Sequence, residues 1–241
     1  MGVTINCDMG EGFGLYGCGD DAGIMPYIHI ANVACGFHAS DPSVMRATVK
    51  LAAEHGVAVG AHPSFPDLQG FGRREMKMGR DELSACIVYQ IGALKGFLDA
   101  AGMPLNHIKP HGALYGAATR SEDVAHAIAD AAEIFGAPLL GMAGTLQETV
   151  YTERGIPFIA EYYADLDYDV EGKLIITRQH EAKDPAEVAR RAVRVMRDGL
   201  ATATDGRSLP MRAETVCIHS DTPGADELAR TVHEALRPWF A

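Results

Sequence analysis

The stretch VTINCD at residues 3–8 decides the fold. Side chains two residues apart share one face of a β-strand, so Thr4, Asn6 and Asp8 point the same way, while the residues between them are apolar. This alternation predicts a strand that presents a polar face and ends in a carboxylate.

Polar strand ends recur along the chain. The candidate strands lie at residues 3–8, 29–36, 56–62, 105–110, 138–142, 156–161 and 215–219. Segments of helical period separate most of them, which is typical of a parallel α/β domain. Seven such units either close as a distorted (β/α)7-type barrel or open as a doubly wound sheet, and in both the active site lies at the carboxyl ends of the strands. We favour the barrel, as a single domain over residues 1–241, because polar residues end nearly every strand.

Two stretches interrupt the alternation of strands and helices. Residues 62–80 are rich in Gly, Pro and Arg, which predicts a long loop after the third strand. Residues 163–180 contain a Glu-Gly turn signal at 171–172 between apolar residues, which predicts a β-hairpin insertion. Long ordered loops in a compact domain are usually functional.

Composition and charge exclude several classes of partner. The chain has 241 residues, of which 21 are basic and 32 acidic, so its formal net charge is −11. Binding a phosphate backbone requires clustered Lys and Arg, so no nucleic acid is expected as a partner. No run approaches the roughly 20 apolar residues that a membrane-spanning helix requires, so no membrane association is expected either.

The cysteines and the first residues indicate the compartment. The five cysteines are an odd number without a C-x-x-C pair, which favours free thiols in a reducing compartment. Residues 1–8 lack the basic start and the apolar stretch of a secretory signal. We therefore expect a cytoplasmic protein in which Cys7, Cys35 and Cys217 pack as small core residues.

The polar residues at the strand ends and in the loops after them form the candidate site. They are Asn6, Asp8, Glu11, His38, His62, Arg73, Lys109, His111, Asp165, His219 and Asp221. Histidine changes protonation near neutral pH, and carboxylates act as bases or orient histidines. Lys109 can neutralise a carboxylate or a developing oxyanion. Any one of these residues can instead be a satisfied core residue, but their recurrence at five strand ends favours a site.

A metal centre is another use of the same residues. The ligand types of a catalytic zinc site are present in His38, His62, His111 and His219 together with Asp8. No two of these are three or four residues apart, so no helical ligand pair adds support. The sequence alone does not decide whether these residues bind a metal ion.

Nucleotide-binding motifs are incomplete or absent. GFGLYG at residues 12–17 matches G-x-G-x-x-G, but CGDD follows it instead of a helix, and the second strand leads to His38 rather than to an acid. No G-x-x-x-x-G-K-[ST] occurs in the chain. The sequence therefore predicts no nucleotide site of its own.

At these same residues the chain resembles the LamB/YcsF family, the A subunits of the prokaryotic ATP-dependent 5-oxoprolinase. The matching segments are residues 6–14, 31–38, 60–63, 66–74, 109–115 and 221–225. The resemblance implies a barrel related to the glycoside hydrolase/deacetylase superfamily, and a hydrolase that opens the lactam ring of 5-oxo-L-proline to L-glutamate. It also implies ATP, used by a complex with partner subunits B and C. A divalent metal and a homo-oligomer remain open.

The resemblance implies roles for the candidate residues. The expected catalytic residues are Asp8, His62, Lys109 and His111. The expected substrate-binding residues are Asn6, Glu11, His38, Arg73, Asp165, His219 and Asp221. The candidate metal ligands are Asp8, His38, His62 and His111. Lys109 or Arg73 is expected near the substrate carboxylate, while Asp8 and a histidine move protons at the ring amide.

One departure from the family pattern keeps alternatives open. Leu166 stands where the family usually carries an arginine, so another small cyclic amide is an alternative substrate. A stand-alone metal-dependent hydrolase or deacetylase is the alternative function. A non-catalytic metabolite-binding scaffold is a third interpretation, since a fold does not determine a function.

Overall fold

A curled sheet of parallel strands lies at the centre of the computed structural model, which describes residues 2–177 and 180–240. The strands are β1 Thr4–Met9, β2 Ile30–Ala34, β3 Ala58–His62, β4 Leu139–Gly141, β5 Phe158–Tyr163, β6 Asp167–Tyr168, β7 Leu174–Ile175, β8 Leu200–Thr202, β9 Ser208–Pro210 and β10 Thr215–His219. The parallel sheet has the order β3-β2-β1-β10-β5-β4. The remaining strands form two antiparallel hairpins, β6 with β7 and β8 with β9.

Residues 106–109 close this sheet into a ring. On one side Lys109 N donates to Ala61 O of β3 at 2.9 Å, and on the other Leu140 N of β4 donates to Ile108 O at 3.0 Å. Only Ile108 of this segment forms β-bridges, so the strand predicted at 105–110 is much shorter than expected. Its length is limited because the prolines at 104 and 110 have no N–H to donate. The predicted distorted seven-unit barrel is confirmed.

The helices lie between the strands, and their ends have recognisable caps. They are α1 Asp21–Ile24, α2 Pro42–His55, α3 Arg80–Ala101, α4 Gly112–Ala118, α5 Glu122–Phe135, α6 Leu146–Glu153, α7 Pro185–Asp198 and α8 Ala225–Leu236, with 3₁₀ turns at Met25–Tyr27 and Arg237–Trp239. Asp41 caps α2 by accepting from the N–H groups of Ser43 and Val44, and Gly56 ends it with φ 68°. Among the described residues no helix is both long and apolar enough to cross a membrane.

The outside of the ring is apolar and its interior is polar. The helix-facing core includes the stripe of α3, formed by the buried residues Leu83, Ile87, Ile91, Leu94 and Leu98. Across the interior, Lys109 Nζ reaches Asn6 Oδ1 and Asp8 Oδ1 of β1, on the opposite side of the ring. The polar faces of the strands therefore meet inside the barrel, as the alternation in residues 3–8 predicts.

The predicted loop and hairpin insertion are both present. The loop runs from residue 63 to residue 79, between β3 and α3. The hairpin is β6–β7, and Gly172 turns it with φ 83°. Residues 178–179 of the predicted insertion lie outside the described residues. The β8–β9 hairpin was not predicted, although its Asp-Gly turn at residues 205–206 is a strong hairpin signal.

The strand predicted at 156–161 is displaced toward the C-terminus. It is β5, which begins at Phe158, directly after Pro157. A proline cannot donate to a ladder of hydrogen bonds, so the regular strand starts after it. The displacement places Glu161 inside the strand and Tyr163 at its carboxyl end.

Candidate active site

A hydrogen-bonded amide network lies deep in the barrel. Asn32 Nδ2 is 2.8 Å from both Asn6 Oδ1 and Asp8 Oδ1, and His107 Nε2 donates to Asn32 Oδ1 at 2.7 Å. Gly60 makes room for this histidine, because a Cβ atom at position 60 would lie 2.2 Å from the His107 ring. The network holds Asp8 in one orientation.

The Lys109 ammonium lies between two carboxylates. Its Nζ is 2.9 Å from Asp8 Oδ1 and 2.9 Å from Glu161 Oε1, and the side chain is 1% exposed. The Tyr163 ring centroid is 4.9 Å away. Burial opposes the charged form, but the neighbouring carboxylates, Asp8 first, raise the pKa of Lys109 well above its usual value. Lys109 is therefore a fixed positive charge.

Asp8 connects this lysine to two histidines. Its Oδ2 is 3.2 Å from His62 Nε2 and 3.6 Å from His219 Nε2. Burial opposes ionisation, but the charges of His62 and Lys109 hold the pKa of Asp8 well below its usual range. Asp8 therefore remains an ionised hydrogen-bond acceptor.

Asp165 orients His219. The Asp165 carboxylate accepts from the His219 backbone N–H at 2.8 Å and lies 3.0 Å from its Nδ1. Burial alone would lower the pKa of His219, but Asp165 outweighs it and the net shift is upward. The Tyr163 ring stacks on the imidazole, with centroids 5.5 Å apart. His219 is thus favoured as an imidazolium with Nε2 directed toward Asp8, the geometry of a proton donor.

Glu11, His38, His62 and His111 meet on another side of Asp8, and we call them the histidine cluster. His111 Nδ1 is 3.0 Å from His62 Nε2 and 3.5 Å from Glu11 Oε1. His38 Nε2 is 3.0 Å from Glu11 Oε1, and the rings of His38 and His111 stack at 3.7 Å. One ligand atom from each side chain lies within 4.8 Å of the others, so the buried cluster can hold a metal ion.

Burial determines the charge of the histidine cluster. It raises the pKa of Glu11 well above its usual value, and Asp8 adds to the shift. It lowers the pKa values of His38 and His111 well below theirs. Without a cation, the protonated form of Glu11 and the neutral imidazoles of His38 and His111 are therefore favoured.

A cavity of about 20 Å³ lies between these groups and the surface. It is lined by Asp8, His62, Arg73, Lys109, Pro110, His111, Gly112, Tyr115, Tyr163, Leu174, Ile176, His180 and His219. At its rim Asp221 pairs with Arg73 Nη2 at 2.9 Å and with His180 Nδ1 at 2.8 Å. The volume suffices for a water molecule but not for an amide ring.

The LamB/YcsF family profile matches residues 3–238, nearly the whole chain. The chain belongs to the LamB/YcsF family. Among the relatives, the lactam utilization protein lamB of Emericella nidulans is 45% identical over 238 residues, which cover 97% of this chain and 94% of the relative. The 5-oxoprolinase A subunit of Syntrophobacter fumaroxidans is 46% identical over 240 residues, which cover 98% of this chain and 95% of the relative.

A solved structure within the LamB/YcsF family has the same fold. The crystal structure of the lactam utilization protein from Thermus thermophilus matches this chain with a TM-score of 0.91 at 45% sequence identity. The match covers 99% of this chain and 97% of the other. The two chains therefore share this fold over essentially their full length.

The residues predicted from this LamB/YcsF sequence all lie in the groups described above. Nine of the eleven are buried, and Arg73 and Asp221 at the rim are partly exposed. One grouping needs correction, because Glu11 rather than Asp8 completes the cluster with His38, His62 and His111. Asp8 lies beside the cluster, with its Oδ2 3.2 Å from His62 Nε2, while its Oδ1 is held by Asn32 and Lys109.

Sequence reasoning missed three residues of the candidate site. Glu161 and Tyr163 lie on the strand whose bounds were displaced, but the acid within the apolar run FIAEYY was a usable signal, since a buried carboxylate needs a partner. His180 follows the hairpin and belongs to no strand or helix. No periodic pattern could connect it with Asp221.

Proposed function

We propose that this chain is the A subunit of an ATP-dependent 5-oxoprolinase, a hydrolase that opens the lactam ring of 5-oxo-L-proline to L-glutamate. One observation carries the proposal: Asp8 is held between Lys109 and two histidines beside a cavity. The names of relatives such as the 46% identical 5-oxoprolinase chain of Syntrophobacter fumaroxidans supply the substrate class.

The substrate is a small cyclic amide that carries a carboxylate, so its site needs a cation. Arg73 is the proposed contact, because it lines the cavity and a guanidinium can bind a carboxylate bidentately. Asp221 pairs with it at 2.9 Å, so the substrate would replace one carboxylate by another. The ring is larger than the cavity, and we assign its entry to an outward movement of Leu174 and Ile176. Leu166 is not among the lining residues, so the leucine at this position does not itself line the cavity.

Hydrolysis of a lactam adds water to the carbonyl carbon and expels the ring nitrogen, so it needs a proton acceptor and a proton donor. The assigned donor is His219, which Asp165 favours in its protonated form. The assigned acceptor is Asp8, whose Oδ2 lies on the side of His62 and His219. Lys109 places a positive charge beside the developing oxyanion.

ATP is assigned to the complex with subunits B and C, in the cytoplasm. An amide is resonance-stabilised, and phosphorylation of its carbonyl oxygen would make the carbon a better electrophile. This chain has no P-loop motif, and its formal net charge of −11 disfavours independent nucleotide binding. The partner subunits would therefore complete the nucleotide site.

Glutamate release from 5-oxo-L-proline and ATP tests the proposal, with this chain alone and with subunits B and C. We expect release only with all three. His219→Asn should lower kcat by about 10²–10⁴-fold, as loss of a general acid does. His55→Asn, at the exposed C-terminal end of α2, is the matched control and should leave the rate unchanged. An inactive full set, or a His219→Asn complex as active as the wild type, would contradict the proposal.

The histidine cluster favours a second candidate function, a stand-alone metal-dependent hydrolase. His62 and His111 belong to the cluster and also line the cavity. In that case the chain alone, with added zinc, should cleave an acetylated or cyclic amide without ATP. A chelator should abolish this activity.

A further inference from the structure

The ring nitrogens of the histidine cluster that do not face backbone carbonyls converge on one point. His62 Nδ1 donates to Lys109 O at 2.7 Å, and His111 Nε2 donates to Phe71 O at 2.8 Å, because a carbonyl oxygen can only accept. The remaining nitrogens, His62 Nε2 and His111 Nδ1, therefore face the centre of the cluster, and His62 Nε2 also lies 3.2 Å from Asp8 Oδ2. These two nitrogens are 3.0 Å apart. At that distance two lone pairs repel unless a proton or a cation lies between them.

Glu11 and His38 direct further ligand atoms at the same point. Glu11 Oε1 is 3.5 Å from His111 Nδ1 and 3.0 Å from His38 Nε2. The buried Nδ1 of His38 has no hydrogen-bond partner within the described part of the chain, so no neighbour prevents it from carrying the ring proton. His38 Nε2 is then a fourth ligand atom directed at the centre.

The spacing and the donor set match a zinc-class ion. Ligand atoms about 2.0–2.1 Å from a tetrahedral zinc ion are roughly 3.3 Å apart, and the separations of 3.0 and 3.5 Å in the cluster lie on either side of that distance. Three imidazoles and one carboxylate suit zinc and similar transition ions, whereas calcium and magnesium prefer oxygen ligands. Backbone carbonyls on the outer nitrogens are the usual partners of metal-bound histidines.

We propose that the histidine cluster is a binding site for one zinc-class transition-metal ion, with Glu11, His38, His62 and His111 as its ligands. Metal binding here goes beyond the proposed lactam hydrolysis and does not depend on it. Glu11 and His38 are almost fully buried behind the cavity, whereas His62 and His111 line it. The ion would therefore contact the cavity through two of its ligands.

A second group of possible metal ligands lies nearby, but it does not compete with the histidine cluster for the ion. Asp8, Cys217 and His219 also bring ligand atoms together. The Lys109 ammonium already lies among them, 2.9 Å from Asp8 Oδ1 and 3.0 Å from Cys217 Sγ. Its positive charge repels a metal ion. His219 is therefore a matched control, a nearly buried cavity histidine outside the proposed ligand set.

The test counts metal on the full chain without nucleotide. The chain is stripped with a chelator, dialysed against zinc ion and analysed by mass spectrometry for bound metal. We expect one zinc ion per chain, and visible absorption of a tetrahedral ion when cobalt replaces zinc. The double variant His38→Gln/His111→Gln should lose at least 100-fold in zinc affinity, since removal of ligands exceeds the effect of outer partners. His219→Asn should still bind one ion.

Two results would overturn the proposal: a folded wild-type chain that binds neither zinc nor cobalt, or equal zinc affinity in the wild type and the double variant. A second measurement needs no variant, in case the double variant does not fold. Zinc should shift the NMR signals of the His38, His62 and His111 rings and leave that of His107 in place. Shifts confined to other histidine rings would equally overturn it.

Discussion

Two buried polar groups lie on different sides of Asp8, and they differ in how their protons and charges are matched. The Lys109 ammonium has the carboxylates of Asp8 and Glu161 at 2.9 Å, so donors face acceptors. In the histidine cluster, by contrast, His62 Nε2 and His111 Nδ1 face each other, nitrogen against nitrogen, at 3.0 Å. The matched group is an ammonium balanced by carboxylates of the chain itself, whereas two facing imidazole nitrogens need a proton or a cation between them. The first group is therefore balanced without a ligand, and the second is the proposed metal site.

Removal of the Lys109 ammonium should have the largest effect on the free energy of unfolding. Lys109→Met leaves Asp8 and Glu161 buried without their cation, and breaking a buried ion pair destabilises a protein by about 3–5 kcal/mol. Urea unfolding measures the free energy. Lys50→Met, whose side chain is 77% exposed, is the control and should change it by less than about 0.5 kcal/mol. A Lys109→Met chain within about 1 kcal/mol of the wild type would show that the carboxylates do not depend on the lysine.

Zinc binding at the histidine cluster should raise the free energy of unfolding of the chain by a somewhat smaller amount. A ligand that binds only the folded state adds about 2.7 kcal/mol to the free energy of unfolding at a free concentration 100 times its Kd. We expect this gain in the wild-type chain and its loss in Glu11→Gln, measured by denaturant unfolding with and without zinc. Magnesium at the same concentration should give no gain, because it prefers oxygen ligands. If zinc does not change the free energy of unfolding of the wild-type chain, the histidine cluster does not bind it and the contrast with the Lys109 group is lost.

The amide network of Asn32 and His107, next to Lys109, provides a second test of the matched group. A methyl group in Gly60→Ala would lie 2.2 Å from the His107 ring, so the ring must leave Asn32 or the strand must shift. Overpacking of this kind destabilises by about 1–3 kcal/mol. Gly92→Ala in α3, where a Cβ meets nothing within 4 Å, should instead stabilise the chain by about 0.5–1 kcal/mol. Thermal or urea unfolding of both variants measures the difference, and equal stabilities would mean that His107 moves freely.

The sequence was sufficient for the barrel and for most residues of the site. Alternation along residues 3–8 and the recurrence of polar strand ends predicted strands whose carboxyl ends meet, and Asp8, His62 and Lys109 do meet there. This worked because parallel strands in a barrel all end at the same face. The short segment at 106–109 was overestimated because two prolines, rather than apolar periodicity, limit it.

The division of the site into two groups could not be predicted from the sequence. Glu11 lies among His38, His62 and His111, whereas Asp8 reaches only His62 of these three, because Asn32 and Lys109 hold its other oxygen. Residue spacing determines which side chains share a face, but it does not determine which oxygen each donor reaches. The same limit applies to His180, whose pairing with Asp221 joins a loop to a strand end.

The smallest effect we expect concerns one proton on His219, beside the matched group. Asp165 raises the pKa of this histidine above its usual value of 6.5, although burial opposes the shift. A raised pKa in the folded state stabilises the fold below the unfolded value, and this contribution is lost as the pH rises through the folded value. The wild-type chain should therefore lose stability above about pH 6.5. Asp165→Asn removes the largest upward cause and leaves burial and the charge of Lys109 opposed only by Asp8, so the loss should be smaller.

The free energy of unfolding from pH 6 to 9, measured for both chains, checks this expectation. Asp165 also accepts the backbone N–H of His219, so the variant should be less stable at every pH. The informative quantity is therefore the difference in slope between the two curves, where each unit of pKa shift corresponds to about 1.4 kcal/mol. Parallel curves would mean that Asp165 orients His219 without holding its proton, and His219 would then be a poor choice for the proton donor.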